Sequence, residues 1–227
     1  MKGVFVTGTD TGVGKTRVSV ALVHALRAQG LRVAAMKPVA AGTERRDGVL
    51  INDDVAALTA AANVDADPHW VNPYLFQPPI APHIAASQAG VVIDLKLIVD
   101  AYSRLAELAD VVVVEGVGGF RVPLNDAEDA ADLALALGLP LLLVVGLRLG
   151  CLNHALLTAE AVAHRKLCWA GWVGNHIDPA MAAQAENIAS LRRRLPHPCL
   201  GIQPFCRDEI PQSPDWLDRA AVSRVLA

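Results

Sequence analysis

The sequence predicts a single-domain α/β fold, in which helices cover both faces of a doubly wound, mainly parallel β-sheet. Short runs rich in Val, Leu and Ile alternate with longer Ala-rich stretches of helical period, which is the order of elements in α/β proteins. Most of the short runs are apolar throughout, as strands covered on both faces are. The chain has 227 residues, 53% of them hydrophobic, which is enough to bury one core. We therefore expect one domain over residues 1–227.

The individual elements follow from these runs in chain order. Strands are predicted at residues 3–7, 32–36, 111–115, 140–146, 170–175 and 199–203. Helices are predicted at residues 15–29, 53–62, 94–109, 130–137, 153–164, 180–194 and 214–226. Residues 65–82 are rich in proline and have no clear period, so we expect an irregular rim beside a ligand site. In such a fold, ligands bind beyond the carboxyl ends of the strands.

Composition excludes several classes of partner. Charged residues make up 19% of the chain and the formal net charge is -3, which gives no electrostatic case for nucleic acid or an anionic membrane. The apolar runs are too short to span a bilayer. A strand predicted from residue 3 leaves no room for a signal peptide, so a cytoplasmic protein is expected.

The four cysteines show neither a CxxC spacing nor a paired-histidine pattern. A zinc set is one interpretation of them. Free, buried thiols in a reducing cytosol are the favoured one. The residues are Cys151, Cys168, Cys199 and Cys206.

Residues 8–16 read Gly-Thr-Asp-Thr-Gly-Val-Gly-Lys-Thr and connect the first strand to the first helix. Glycines let backbone N–H groups converge on a phosphate, and the helix adds its positive end. Lys15 is placed to reach the β- and γ-phosphates and the Thr16 hydroxyl to bind Mg2+. Five residues, one more than in the usual P-loop, separate Gly8 from Gly14. An ordinary strand-to-helix turn is the alternative. A dinucleotide fingerprint is excluded because Arg17 stands where its third glycine is required.

Carboxylates near this loop are candidates for the metal shell. Glu115 ends a run of four valines and precedes Gly-Val-Gly-Gly. Burying an unpaired carboxylate is costly, so a metal ligand explains Glu115 better than a core position. A surface-exposed strand end is the alternative. Asp53 and Asp54 open a helix, where an acid can be a cap or a metal ligand.

Several segments together resemble dethiobiotin synthetases. They occur in order over nearly the whole chain, and the long phosphate loop is itself a trait of that family. The segments are residues 8–16, Lys37-Pro38-Val39-Ala40, Asn72-Pro73-Tyr74, Pro82-His83, residues 115–119, residues 150–155, Gly171-Trp172-Val173 and Asn175.

The resemblance implies an ATP-dependent ring closure in biotin synthesis. The substrates would be 7,8-diaminononanoate, CO2 and ATP with Mg2+, and the enzyme would be a homodimer with its sites at the interface. One amine would take up CO2 to give a carbamate, which attacks the γ-phosphate. The second amine would then displace phosphate from the carbamic-phosphoric anhydride. Such chemistry relies on positioning and charge neutralisation rather than on a protein nucleophile.

The same resemblance assigns residues to roles. Asn175 would read the adenine while the loop at 204–205 closes over it, and Asp53 would remain a helix cap. Catalytic roles fall to Thr11, Lys15 and Lys37, and Mg2+ would bind Thr16, Asp54 and Glu115. Nucleotide contacts are implied for Gly12, Val13, Gly14, Lys15, Thr16, Arg17, Asp54, Glu115, Gly116, Val117, Gly118, Asn175, His176, Pro204, Phe205 and Cys206. Substrate contacts are implied for Lys37, Ala41, Gly118, Gly150, Cys151, Leu152 and Asn153.

Some of these positions also have simpler interpretations. Lys37 could be a solvated strand-end lysine, and Asn175 could turn the chain. Residues 150–153 taken alone are an ordinary helix start, whose N–H groups could hold the substrate carboxylate. If Lys37 acts on the carbamate and γ-phosphate, Lys37→Gln is expected to fold normally and to lose most turnover.

The chain departs from the family pattern at four positions. Ala41 replaces a serine that touches the substrate, so Thr43 or water would have to supply that hydrogen bond. Gly12 stands where some relatives have an acid, and His176 where an aspartate is common. Pro211 replaces a polar residue near the ribose. These changes bear on nucleotide and substrate contacts and leave the reaction unaltered.

Three other functions compete with this interpretation. A partition- or septum-type switch ATPase usually carries a second lysine early in the loop, where this chain has Thr9, Asp10 and Thr11. A GTPase would need an Asn-Lys-x-Asp motif, which the sequence lacks. A related ligase of cofactor synthesis is the third, and the chain carries no added glutaminase domain.

Overall fold

The computed structural model describes residues 3–46, 48–206, 214–218, 220 and 222. Its strands are β1 (Gly3–Gly8), β2 (Val33–Met36), β3 (Val39–Ala41), β4 (Glu44–Arg46), β5 (Val49–Ile51), β6 (Tyr74–Phe76), β7 (Val111–Glu115), β8 (Leu141–Leu147), β9 (Trp169–His176) and β10 (Cys199–Gln203). Its helices are α1 (Lys15–Arg27), α2 (Asp53–Ala61), α3 (Pro68–Val71), α4 (Pro82–Gln88), α5 (Leu95–Leu108), α6 (Ala130–Leu137), α7 (Cys151–His164) and α8 (Gln184–Arg194).

A six-stranded sheet forms the centre of the molecule, in the order β10-β9-β8-β1-β7-β2. Each of its five strand pairings is parallel. The chain leaves β1 in the middle of the sheet and places later strands on both sides of it, as in doubly wound folds. The predicted α/β fold with a parallel sheet is confirmed.

Two apolar layers hold helices against the sheet, one on each face. On the first, called the α1 face below, α1 and α2 pack on alternate strand residues. On the second, called the α5 face, α5, α6 and α7 pack on the intervening residues. The α1 face includes Val4, Val6, Val18, Leu22, Leu26 and Leu58, and the α5 face includes Phe5, Ile98, Leu105, Leu133, Leu143 and Val162. Burying each such side chain contributes roughly 1.5–3 kcal/mol, so the sheet is a rigid base for its loops.

Strand register brings the predicted site residues to one edge. Met36 of β2 pairs with Val114 of β7, and Val6 of β1 pairs with Glu115. Lys37 follows Met36 directly. Parallel strands end at the same edge of a sheet, so Lys37, Glu115 and the loop after β1 meet there.

Two predicted helices begin two or more residues away from their predicted starts, and α5 begins one residue later than predicted. Helix α7 begins at Cys151 rather than at 153, because Gly150, at φ 93°, forms its N-cap directly after β8. Helix α8 begins at Gln184 rather than at 180. The side chain of Asp178 accepts a hydrogen bond from Ala180 N, and Ala183 has φ 51°. Such a local turn competes with the helix, so the helix starts later.

Residues 65–82 are more regular than predicted. Asp67 caps the short helix α3 by accepting a hydrogen bond from His69 N, with Pro68 in the first turn. Strand β6 then pairs with β3, and α4 begins at Pro82. A further pair, β4 with β5, is antiparallel. These short elements are set by tertiary pairing rather than by periodicity, so the sequence pattern did not reveal them.

The predicted helix at 214–226 is tested only in part, since several of its residues lie outside those described. Within 214–218 the chain turns, and Asp218 N donates to Leu200 O of β10. All four cysteines are free, as predicted, but only Cys151 is buried. Cys199 and Cys206 are half-buried and Cys168 is exposed in the turn before β9, so the prediction of buried thiols was wrong for these three. In the described part of the chain, no helix has the length and hydropathy needed to cross a bilayer.

Candidate nucleotide and metal site

The loop between β1 and α1 has the backbone shape that its glycines predict. Gly12 and Gly14 have φ angles of 73° and 86°, in the left-handed region that favours glycine. A Cβ on Gly14 would lie 2.0 Å from Asn175 Nδ2. Asn175 Nδ2 also donates a hydrogen bond to Val13 O at 2.8 Å. The end of β9 therefore contacts the phosphate loop directly.

Asp10 holds the outer side of the loop. Its Oδ1 accepts a hydrogen bond from Thr11 N at 2.8 Å, and its Oδ2 lies 2.6 Å from Arg148 Nη2, just after β8. Both side chains of this ion pair are partly exposed, so its contribution to stability is small. The ion pair connects the loop to the segment after β8.

Lys15 is buried at the start of α1, where its Nζ donates to Asp10 O at 3.1 Å. Burial, helped by the neighbouring charge of Lys37, lowers the pKa of Lys15 to about 8. A bound anion would offset both effects. Lys15 is therefore a candidate phosphate ligand, because its positive charge is costly without a neighbouring anion.

Lys37 lies among carboxylates at the end of β2. Its Nζ is 2.9 Å from Asp54 Oδ2 and forms a second ion pair with Glu115 Oε1. Lys37 and Glu115 are buried, whereas the Asp54 side chain is 44% exposed. This burial excludes the alternative that Lys37 is a solvated lysine at the end of a strand. It also excludes the alternative that Glu115 is a surface carboxylate.

The charges of this cluster stabilise one another. Burial opposes the charge on Lys37, but Glu115 and Asp54 more than offset it and raise the pKa of Lys37. Burial likewise opposes the negative charge on Asp54. The charge of Lys37 and the Thr16 hydroxyl more than offset this effect of burial, so the pKa of Asp54 is lowered. Lys37 is therefore a cation and Asp54 an anion at neutral pH.

Thr16 connects the phosphate loop to the same carboxylates. Its Oγ1 lies 2.7 Å from Asp54 Oδ1 and 2.9 Å from Glu115 Oε1. A hydroxyl has one proton, so it donates to one of these oxygens at a time. Glu115 Oε2 is buried and has no hydrogen-bond partner among the described residues. Two carboxylates and a hydroxyl beside a phosphate loop form the oxygen set that Mg2+ prefers.

A cavity of about 710 Å³ opens over these groups. It lies at the carboxyl edge of the sheet, between the phosphate loop, the start of α2 and the start of α4. The structure brings twelve of the predicted residues together in its lining: Thr11, Gly12, Gly14, Lys15, Thr16, Arg17, Lys37, Ala41, Asp54, Glu115, Val117 and Gly118.

The remaining predicted residues lie outside this lining. Val13 is buried in the α1 face, and its carbonyl rather than its side chain serves the loop. Gly116 packs against Phe5 behind Glu115. The others are Asn175, His176, Pro204, Phe205 and Cys206 at the ends of β9 and β10, and Gly150, Cys151, Leu152 and Asn153 at the start of α7. Pro211 lies outside the described residues.

The residues predicted to contact the base lie at the ends of β9 and β10 and in the segment that follows β10. Arg17 Nη1 donates to Cys206 O at 2.7 Å, which ties the loop after β10 to α1. His176 contacts Gln184 through Nδ1, and burial lowers its pKa. Asn175 and His176 thus lie beside the phosphate loop on the side opposite Lys37.

Several lining residues were not predicted. The N-cap of α2 is Asn52, whose Oδ1 accepts from Val55 N while its Nδ2 donates to Gly42 O. The predicted cap role of Asp53 is therefore wrong, and Asp53 instead pairs with Arg46. An asparagine before two acids is a capping signal that could have identified Asn52. Ala57, Val122 and residues 79–82 also line the cavity and show no local signal.

Comparison with known proteins identifies the family. A family model described as "AAA domain" matches residues 2–213. The ATP-dependent dethiobiotin synthetase BioD of Nitrosospira multiformis is 57% identical over 204 residues, covering 90% of this chain and 88% of that protein. The chain belongs to the dethiobiotin synthetase family. The family predicted from the sequence motifs is confirmed. The phosphate loop of this family member has five residues between Gly8 and Gly14.

Solved structures of more distant proteins share the fold of this dethiobiotin synthetase family member. The MinC:MinD cell division complex of Aquifex aeolicus includes a chain with a TM-score of 0.57 and 15% identity, with 99% of this chain and 94% of that one covered. The receptor FtsY of Elizabethkingia anophelis, in complex with GDP, gives a TM-score of 0.51 and 16% identity over 99% of this chain and 63% of that one. At these identities the likeness concerns the fold alone.

Proposed function

We propose that this chain is an ATP-dependent dethiobiotin synthetase. It would convert 7,8-diaminononanoate, CO2 and ATP into dethiobiotin, ADP and phosphate. Its family relative carries that activity in its name. The observation that carries the proposal is the convergence of Lys15, Lys37, Asp54 and Glu115 on one cavity beside the phosphate loop.

The two lysines suit the charges that the reaction creates. The carbamate formed from one amine and CO2 is an anion, and its oxygen must approach an anionic γ-phosphoryl group. Lys37 keeps its proton because of Asp54 and Glu115, and Lys15 lies at the end of the loop nearest the same cavity. Fixed cations at these positions would lower the repulsion between the two anions and stabilise the charge of the transferring phosphoryl group.

Ring closure follows from the product of that step. The carbamate oxygen bonds to the γ-phosphorus as the bond to ADP breaks. The second amine then attacks the carbamoyl carbon, and phosphate leaves as the second C–N bond forms and the amine loses its proton. Of the glycines after Glu115, Gly118 lines the cavity, and its φ is 60°. It would let the amines approach the backbone closely.

Thr16, Asp54 and Glu115 would hold Mg2+. The unpartnered Glu115 Oε2 and the shared Thr16 hydroxyl support this donor set, since Mg2+ is usually bound by one or two carboxylates together with phosphates and water. When bound, Mg2+ supplies charge neutralisation at the phosphates. Lys37 contacts the same two carboxylates, so it would move toward substrate when the metal takes its place.

The remaining contacts stay proposals from the resemblance. Ala41 lines the cavity without a hydroxyl, and the nearby Thr43 Oγ1 is buried with no partner among the described residues. Thr43 is thus a candidate to replace the missing serine. Residues 150–153 would bind the substrate carboxylate across a homodimer interface. Leu149 and Leu157, which are 91% and 57% exposed, flank that segment and suit burial in a dimer. A cytoplasmic location fits these substrates.

The test is phosphate release from MgATP with and without diaminononanoate and bicarbonate, with dethiobiotin detected by mass spectrometry. We expect phosphate and dethiobiotin together only when both additions are present. Lys37→Gln should abolish both signals, whereas the matched variant Lys96→Gln, at an exposed position on α5, should not. Phosphate release that is indifferent to the diamine, with no dethiobiotin, would favour a switch ATPase instead.

A further inference from the structure

The order of strands fixes where the two ends of a nucleotide lie. The charged groups that suit the γ-phosphate follow β2 and β7, on one side of β1. The phosphate loop follows β1 itself. A nucleotide lying across the carboxyl edge would then extend over β8 toward β9 and β10. Side chains at the ends of those two strands are therefore placed to meet the base.

Gln203 is the last residue of β10 and is 1% exposed. Its Nε2 and its Oε1 are both buried, and neither has a hydrogen-bond partner among the described residues. Within the described chain, the other buried unpartnered side chains lack a partner at one atom each, as the indole of Trp172 does. A buried amide with both ends unpaired is costly to the fold and marks a position where a ligand can supply the bonds.

Gln203 lies beside Asn175 and points to the same side of the sheet. The two residues are paired in the β9–β10 register. Ile202 packs on the α5 face, so the alternation of a strand turns Gln203 to the α1 face. Asn175 faces the same way, two residues after Val173 of that face, and it contacts Val13 O of the phosphate loop. Two amides therefore lie next to each other beside the loop.

The segment after Gln203 is tied to α1 by a hydrogen bond. Pro204, Phe205 and Cys206 follow directly, and Arg17 of α1 holds Cys206 O at 2.7 Å. Phe205 is 37% exposed, which leaves an aromatic surface beside the buried amide. An aromatic surface for stacking, combined with a paired donor and acceptor, is the chemistry that recognises a flat nucleobase.

We propose that Gln203 is a nucleobase-specificity residue. Its amide accepts a hydrogen bond from the 6-amino group of adenine and donates one to the neighbouring ring nitrogen, while Asn175 shapes the adjoining wall. The inference rests on the proposed function, because it takes a purine triphosphate as the ligand.

The experiment compares two nucleotides in two proteins, by calorimetry with Mg2+. The nucleotides are non-hydrolysable imido analogues of ATP and of purine riboside triphosphate, which lacks the 6-amino group. We expect the wild type to bind the ATP analogue about tenfold more tightly, as one lost hydrogen bond implies. Gln203→Leu should weaken the ATP analogue by about tenfold and should bind both nucleotides equally. Gln88→Leu, at an exposed position on α4, is the matched control and should behave as the wild type.

Two results would overturn the inference. One is a wild type that binds both nucleotides equally, a result that needs no variant to fold. The other is a Gln203→Leu protein that still prefers the ATP analogue as strongly as the wild type does. Gln203→Met repeats the test if the leucine variant does not fold. A merely structural amide would give a higher melting temperature in Gln203→Leu with unchanged affinities, and that also overturns it. Dethiobiotin formation by the wild type, measured alongside, reports separately on the proposed function.

Discussion

The two ends of the candidate site are built on opposite principles. At the phosphate end, Lys37, Asp54, Glu115 and Thr16 pair with one another, and Lys15 reaches the loop backbone. At the base end, the neutral amide of Gln203 has no partner among the described residues. An unpaired buried charge is far more costly than an unpaired buried amide. The charged groups are therefore satisfied by one another, whereas the neutral amide keeps hydrogen-bonding capacity for a ligand.

This difference assigns the two ends different tasks. In the proposed function, binding of metal and nucleotide would release Lys37 from its carboxylates. In the proposed role of Gln203, its neutral amide would select the nucleobase through two hydrogen bonds. The Asn175 contact to Val13 O joins the two ends, so the shape of the loop depends on both.

The largest effect is expected at Lys37. Lys37→Gln should lower turnover by on the order of 10²–10³-fold, because a fixed cation at the transferring group is lost. The buried carboxylate of Glu115 also loses its partner, so the expectation of normal folding is revised. We expect a loss of roughly 3–5 kcal/mol in unfolding free energy, measured by thermal and urea denaturation.

The same variant tests the competition between Lys37 and Mg2+. Without nucleotide, MgCl2 should raise the melting temperature of Lys37→Gln more than that of the wild type, because the carboxylates are then free to bind the metal. Lys96→Gln should respond as the wild type does. Equal responses in all three proteins would show that Lys37 and the metal do not share these oxygens.

Gly14→Ala should separate the two ends of the site. The new Cβ would lie 2.0 Å from Asn175 Nδ2 and would clash with it. Because Gly14 has a φ of 86°, the alanine would also carry a backbone strain of about 1–2 kcal/mol. We expect affinity for an imido analogue of ATP to fall by at least about tenfold. Gly30→Ala has a similar φ with nothing within 4 Å and serves as the control. Unchanged affinity in Gly14→Ala would mean that the loop does not depend on Asn175.

Nucleotide affinity should depend on pH through Lys15. Its pKa of about 8 in the free protein should rise when phosphate is bound. Affinity for the imido analogue should therefore weaken as pH rises above about 8, with proton uptake seen by calorimetry in buffers of different ionisation enthalpy. The stability of the free protein changes with pH in the opposite direction from the nucleotide affinity. Unfolded chains bind a proton that native Lys15 has lost between pH 8 and the ordinary lysine pKa, so this group adds stability as pH rises there. An affinity that does not change from pH 7 to 9.5 would contradict this.

The smallest effect is expected at the ion pair between Arg148 and Asp10. Both side chains are more than 40% exposed, so Arg148→Met should cost less than about 1 kcal/mol in unfolding free energy. The affinity for nucleotide should change by no more than about threefold. Arg104→Met removes a more exposed pair on α5 and is the reference. A tenfold loss of affinity confined to Arg148→Met would show that this tether shapes the phosphate loop.

Much of the fold was predictable because its signals are local. The strand β7 begins and ends where predicted, at Val111–Glu115, since an unbroken apolar run marks a buried strand. The bounds of β10, Cys199–Gln203, also agree with the prediction. The late start of α8 was not predicted, because a turn at Asp178 and a left-handed Ala183 precede it. Strands β3 and β6 were missed because three-residue strands exist only through their pairing.

The sequence by itself marked the phosphate loop, Lys15, Thr16 and Glu115 as candidates, because glycine spacing, a lysine-threonine pair and a carboxylate after four valines are local features. The roles of Lys37 and Asp54 came from the family resemblance. The sequence could not decide whether Lys37 is solvated or paired, since that depends on the register of β2 against β7. Nor could it identify Gln203, an ordinary strand residue in the sequence. Burial and hydrogen-bond satisfaction arise from contacts between residues far apart in the chain, so only the tertiary structure decided them.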